Sequence, residues 1–289
     1  MAEVILPSPG MGVGVHLGSH GHTESFVSAG RFYLRAITDR QVSAEDRAKT
    51  IVDFEQTKMI KHKNIAPFTK MLCDCNSTYL LRPYIEGVNL GEYLEEERTF
   101  SERVTVLKDI AMGLHYLHSM NILCKSLKPQ NIIVGADGHA TIVDVGVDFL
   151  FQEYISDPKS LLSFLHIGPD GVLNDHARPT VELDLYHFGL VSYLTFFGKY
   201  PYSVLNAGKI IRDFTNDMIP IPRQEESKEC GVFISRFLCS DATKRMGMAD
   251  AIKHLESMKP NKFHSTTSPD SERLTRIKTE KNVSYRIRH

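Results

Sequence analysis

The chain has 289 residues, 42% of them hydrophobic, enough apolar side chain for one or two compact domains with a sizeable core. Its 34 Lys and Arg against 35 Asp and Glu leave a net charge of -1, which excludes a general affinity for nucleic acid or acidic membranes, so partners must be argued from local features. No stretch reaches the roughly 18 uninterrupted apolar residues of a membrane span, and the five cysteines are scattered, so a reduced, cytoplasmic protein is expected.

Residues 1–11 carry Pro7, Pro9 and Gly10 without periodicity and read as a disordered leader. From Gly12, the alternation of Val13, Val15 and Leu17, then Phe26 and the run Phe32–Ile37, predicts three strands joined by glycine-containing turns. Ser43-Ala-Glu-Asp46 has the form of a capping box, and Ile51, Phe54, Met59 and Ile60 follow at broadly helical spacing. Cys73-Asp74-Cys75 has no second Cys/His pair at zinc-ligand spacing, so buried free thiols are expected there rather than a metal site.

Thr99-Phe-Ser-Glu102 is a second capping box, opening an amphipathic helix with Val104, Leu107, Ile110, Ala111, Leu114 and Leu117 on one face. Asn131–Val134 and Ala140–Val143 flank Asp137-Gly138 and predict a hairpin, and Glu182 opens a helix through Phe197. Counted from Lys259, eight Lys and Arg face three Asp and Glu. The segment 259–289 therefore reads as a basic, solvated and disordered tail in preference to one docked on an acidic surface.

Motifs are laid over these elements in a fixed order. They are Tyr33–Ile37 with its central Arg35, His62-Lys63-Asn64-Ile65, Cys124-Lys125-Ser126-Leu127-Lys128-Pro129-Gln130-Asn131 and Asp144-Val145-Gly146, followed by Gly168-Pro169-Asp170, Asp184-Leu-Tyr186-His-Phe188-Gly189 and Asp241 to Arg245. In this order and spacing, residues 12–258 resemble a protein kinase domain. The resemblance implies an α+β, two-lobed fold. Its small antiparallel β N-lobe with one helix spans about 12–83, and its mainly helical C-lobe about 84–258.

The resemblance also implies roles. In the family's His-Arg-Asp-Leu-Lys-Pro-x-Asn the Asp accepts the substrate hydroxyl proton and the Asn holds a Mg²⁺. Here Cys124, Lys125 and Ser126 replace the first three residues, while Lys128, Pro129 and Asn131 remain. A serine hydroxyl is no base near neutral pH, and a missing general base costs roughly 10²- to 10⁴-fold in rate. In the phosphate loop only Gly18 keeps its place, with His20 and Thr23 at the other two glycine positions. Arg35 stands at the phosphate-binding lysine, keeping the charge but not the geometry. Asp53 stands at the glutamate of the first helix, one methylene short, so an Arg35–Asp53 pair requires the helix to move inward; Glu55 is its off-register rival.

Arg82 falls at the gatekeeper position behind the adenine site, where a buried guanidinium needs a carboxylate; the candidates are Asp53 and Asp144. Asp144, a Mg²⁺-ligand position, is intact, and Arg245 is expected to pair with Asp170.

The expectation is therefore a pseudokinase, with a lean of three or four residues toward the tyrosine-kinase-like branch of receptor-interacting kinases and mixed-lineage-kinase-domain-like proteins. Its function is read as a non-enzymatic interaction, sequestering or allosteric module, and its partner as a protein, an active kinase or that kinase's substrate, with no nucleic acid. A weakly active Ser/Thr kinase, kept alive by Arg35, Lys128, Asn131 and Asp144, is the alternative from the enzyme class, and a nucleotide switch without turnover is the third. No cofactor is required. Weak ATP binding through a metal on Asn131 and Asp144 is the most the surviving positions support.

Overall fold

β-branched and aromatic residues spaced for a pleated surface build the first layer. In the computed structural model, which describes residues 3–5, 13–20, 23–28, 32–38, 43–73, 77–125, 127–147, 161–174, 179–202, 207–220 and 228–259, the strands β1 (Glu3–Ile5), β2 (Val13–His20), β3 (Thr23–Ser28), β4 (Phe32–Thr38), β6 (Lys70–Cys73) and β7 (Ser77–Pro83) form one sheet. Its order is β1-β2-β3-β4-β7-β6, antiparallel throughout. The three strands expected after Gly12 are β2 to β4. Strand β1 corrects the reading of residues 1–11 as a leader without structure: Val4 pairs with Gly14 along the open edge of β2. Three residues are too short to show a period, and a free edge is enough to recruit them.

Helix α1 (Ala44–Thr57) begins as its cap demands. Ser43 Oγ accepts from the Asp46 amide at 3.0 Å and donates to the Asp46 carboxylate at 2.6 Å. Its buried face lays Phe54 against Ile37, Phe68, Leu80 and Val147, which fastens the helix to the sheet. Cys73, expected among buried thiols, is a free but exposed cysteine at the end of β6. The reason is positional: β6 is an edge strand of the sheet and Cys73 is its last residue. Cys75 lies outside the described residues.

A second sheet, of order β5-β10-β9-β8, is made from β5 (Ile65–Ala66), β8 (Val88–Asn89), β9 (Ile132–Val134) and β10 (Ala140–Val143). The β9–β10 hairpin turns at Gly138, whose φ of 79° is the left-handed value that glycine adopts without cost.

The remainder is helical: α2 (Leu90–Tyr93), α3 (Phe100–Ser119), α4 (Leu161–Asn174, kinked at Gly168), α5 (Val181–Phe197), α6 (Ala207–Thr215), α7 (Lys228–Leu238) and α8 (Met248–Ser257). Both halves of the Thr99–Glu102 capping box are made. Helix α5 is apolar almost all round and is buried from Leu183 to Phe196, with α3, α4 and α7 packed on it, α6 against α4 and α8 against α3. Leu107, Ile110 and Leu114 of α3 share that core with Phe188 of α5 and Phe237 of α7. The architecture is the two-lobed kinase-like fold, with a small β-sheet lobe carrying one helix and a mostly helical lobe. Among the described residues no helix is long and apolar enough to cross a membrane. The basic tail 260–289 lies outside the described residues.

Candidate functional site

The site is assembled where α1, β7, the segment ending at Lys125 and the turn after β10 converge. Asp144 leaves β10 in a left-handed conformation, φ 57°. Such backbone costs an ordinary residue roughly 1–3 kcal/mol and persists only where its surroundings hold it. Its carboxylate is held by Arg82: Nε donates to Asp144 Oδ1 at 2.7 Å, and both side chains are only 5% exposed. Arg82 also donates from Nη1 to the carbonyl of Pro83 at 3.3 Å. Of the two carboxylates that the sequence offered to Arg82, the geometry therefore brings up Asp144.

Asp53 is buried on the inner face of α1 and meets a different cation, Lys125, whose Nζ donates to Asp53 Oδ1 at 3.0 Å. Its rival Glu55 is exposed and pairs with Lys58 on the same helix. Arg35 lies on β4 opposite Leu80, and its side chain is outside the described residues, so the expected Arg35–Asp53 contact is too. The Lys125–Asp53 contact was not foreseen. Its signal in the sequence is the cation retained at the second position of Cys124-Lys125-Ser126.

The segment around Lys125 is pinned from below by α5. Asp184, in the first turn of that helix, accepts from the amides of Cys124 at 2.7 Å and Lys125 at 3.0 Å, and its Oδ2 lies 3.0 Å from His118 Nε2. Lys125 itself has φ 63°, a second left-handed residue held by its hydrogen bonds. From the other side, the Gly146 amide donates to the Cys124 carbonyl at 2.9 Å, with Gly146 at φ 80° against the Thr57 methyl of α1. Asp184 belongs to a motif visible in the sequence, but its role as the loop's anchor is a tertiary fact.

Asn131 closes a 3₁₀ turn, Pro129–Asn131, that follows Lys128, and its amide donates to the Lys128 carbonyl. Gly18 is paired with Ser25 in the β2–β3 ladder, which continues to His20 and Thr23 at its tip. Ser126 is outside the described residues.

Arg245 makes the expected bond to Asp170, Nη1 to Oδ2 at 2.7 Å. It also donates to the carbonyls of Glu182 and Cys239, with its guanidinium over the Tyr186 ring. Beside it lie two fully enclosed imidazoles. His187 Nε2 donates to the His166 carbonyl at 2.7 Å, and burial pushes the pKa of both rings below that of free histidine. Away from all of this, a cavity of 440 Å³ is lined by Lys63, Asn64, Ile85, Glu86, Asp137 and His139 among others. It includes none of Asp53, Arg82, Asn131 or Asp144.

Comparison with known proteins matches the family described as protein kinase domain over residues 18–255. Serine/threonine-protein kinase ULK3 of Homo sapiens is 24% identical over 231 residues, covering 76% of this chain and 48% of that protein. The Xenopus laevis counterpart is 24% identical over 257 residues, 86% of this chain and 53% of its own length. Myosin light chain kinase A of Dictyostelium discoideum is 22% identical over 276 residues, 92% of this chain and 91% of that protein. The chain thus spans about half the length of the ULK3 relatives.

Proposed function

We propose, from the premise that this chain belongs to the protein kinase family, that it is a non-catalytic member which binds, sequesters or allosterically sets an active kinase or that kinase's substrate. The observation that carries the reading is the buried Arg82–Asp144 pair, because it spends the metal-ligand carboxylate of the family on a cation of the chain itself. Ser126 at the general-base position and Arg35 at the phosphate-binding lysine support it from the sequence. What the chain keeps is the framework: the Asp184 anchor, the Arg245–Asp170 bridge and the helical core. A framework without chemistry suits recognition, since function resides in sites and not in the fold that carries them.

The relatives are named as serine/threonine kinases, and a weak activity of that class is the competing reading. It needs Asp144 released from Arg82 and a base other than Ser126. The lean toward the tyrosine-kinase-like branch rests on the Asp184–Gly189 motif and on Lys125 in place of the catalytic-loop arginine.

The test is phosphoryl transfer from labelled ATP to generic protein substrates and to the chain itself. The expected result is no turnover above a no-protein blank, for the natural chain and for Ser126→Asp alike, because positioning of the phosphates as well as proton transfer carries this reaction. Robust ATP-dependent phosphorylation by the natural chain would end the proposal.

A further inference from the structure

Two acidic positions that serve nucleotide and metal in the family, Asp53 and Asp144, are each met in this chain by an internal cation. Asp144 Oδ1 receives Arg82 Nε at 2.7 Å, and Asp53 Oδ1 receives Lys125 Nζ at 3.0 Å. The first pair is the more enclosed, and a guanidinium neither deprotonates in the working range nor diffuses away.

Mg²⁺ demands nearly ideal octahedral oxygen geometry and an anionic ligand free to face it. Asp144 and Asn131 are residue types such a site uses. The carboxylate, however, is already bound by a fixed positive charge, and a dication on it would be repelled by that neighbour in a poorly solvated place. The residues present therefore do not fit the metal.

We propose that Arg82 is the resident cation of Asp144, standing where the family places a divalent metal, so that this site takes up no Mg²⁺ with or without nucleotide. The inference rests on the kinase-family reading of the site, and it explains a geometric feature that reading leaves open. Asp144 and Lys125 both adopt left-handed backbone, at φ 57° and 63°, and each is the partner of one of the two buried pairs. The turn after β10 and the segment before Ser126 are thus held in place by the chain's own charges. The Lys125–Asp53 bridge ties α1 into the same arrangement. A site so filled keeps its shape without ligand, which a constitutive recognition module needs and a nucleotide-driven switch does not.

The experiment is a titration of the full chain with Mn²⁺, free metal being read by its electron paramagnetic resonance signal, with and without ATP, and repeated for Arg82→Met and Asp144→Asn. The natural chain is expected to bind no Mn²⁺ that Asp144→Asn abolishes, and its melting temperature should not respond to a chelator. Arg82→Met is expected to bind Mn²⁺ at least about tenfold more tightly than the natural chain.

Mn²⁺ bound by the natural chain and lost in Asp144→Asn overturns the inference without recourse to Arg82→Met, should that variant fail to fold. A folded Arg82→Met that gains no metal overturns it as well. Metal bound at Asp144 with no phosphoryl transfer would remove this inference and leave the non-catalytic reading standing, whereas phosphoryl transfer in metal-free buffer would do the reverse.

Discussion

Arg82 sits on the sheet at a place where burial leaves it 4% exposed, and among the described residues its ion-pair partner is Asp144. Removing one member of a buried pair strands the other, at a cost of roughly 3–5 kcal/mol. Arg82→Met is therefore expected to lower the stability measured by chemical denaturation by about that amount, while Lys253→Ala, which breaks an exposed pair with Asp250, leaves it unchanged. Equal effects from the two substitutions would mean that Arg82 is solvated and paired only incidentally. Gly146 makes a second demand at this scale. Its φ of 80° and the nearness of the Thr57 methyl predict that Gly146→Ala costs at least about 1–3 kcal/mol, from the left-handed backbone alone.

Between elements, the coupling runs through α5. Asp184 holds two amides of the preceding segment with one carboxylate, and an amide side chain in its place could accept from one and would turn a donor toward the other. Asp184→Asn is expected to cost about 1–3 kcal/mol. Hydrogen exchange should localise the loss, with the Cys124 and Lys125 amides exchanging faster while those of α3 keep their protection. Uniform acceleration throughout the helical lobe would assign Asp184 to general packing instead. Arg245 joins α4, α5 and the segment after α7 in the same way, through a carboxylate and two carbonyls at once. Lysine has the charge but not the fork for that task.

For the molecule as a whole, the buried His166 and His187 set a pH response. Burial lowers the pKa of both rings in the folded chain, whereas the unfolded chain takes up protons near the ordinary value of 6.5. Below that value the unfolded state binds more protons, so stability falls on acidification from these two groups and is insensitive to them above it. Denaturation curves at about pH 7.5 and about pH 5.5 should show this loss, with a shallower slope in His187→Asn. An unchanged slope in that variant would show that His187 takes up its proton without unfolding.

Strands β2 to β4 and the caps of α1 and α3 were legible in the sequence because each is written within a few residues, by alternation for strands and by Ser43 and Thr99 with their acidic partners for helix starts, whereas the two lobes were implied by the order of the motifs along the chain. So was the demand of Arg82 for a carboxylate, since a charge read into a buried strand must be compensated wherever it lies. Which carboxylate answers was not legible. Arg82 and Asp144 are 62 residues apart and Lys125 and Asp53 are 72 apart, and no local pattern ranks partners across such distances. Residue identity determined that charges had to be paired; only the packing of α1 and β7 against the segment that Asp184 anchors decided that Arg82 would take Asp144 and Lys125 would take Asp53.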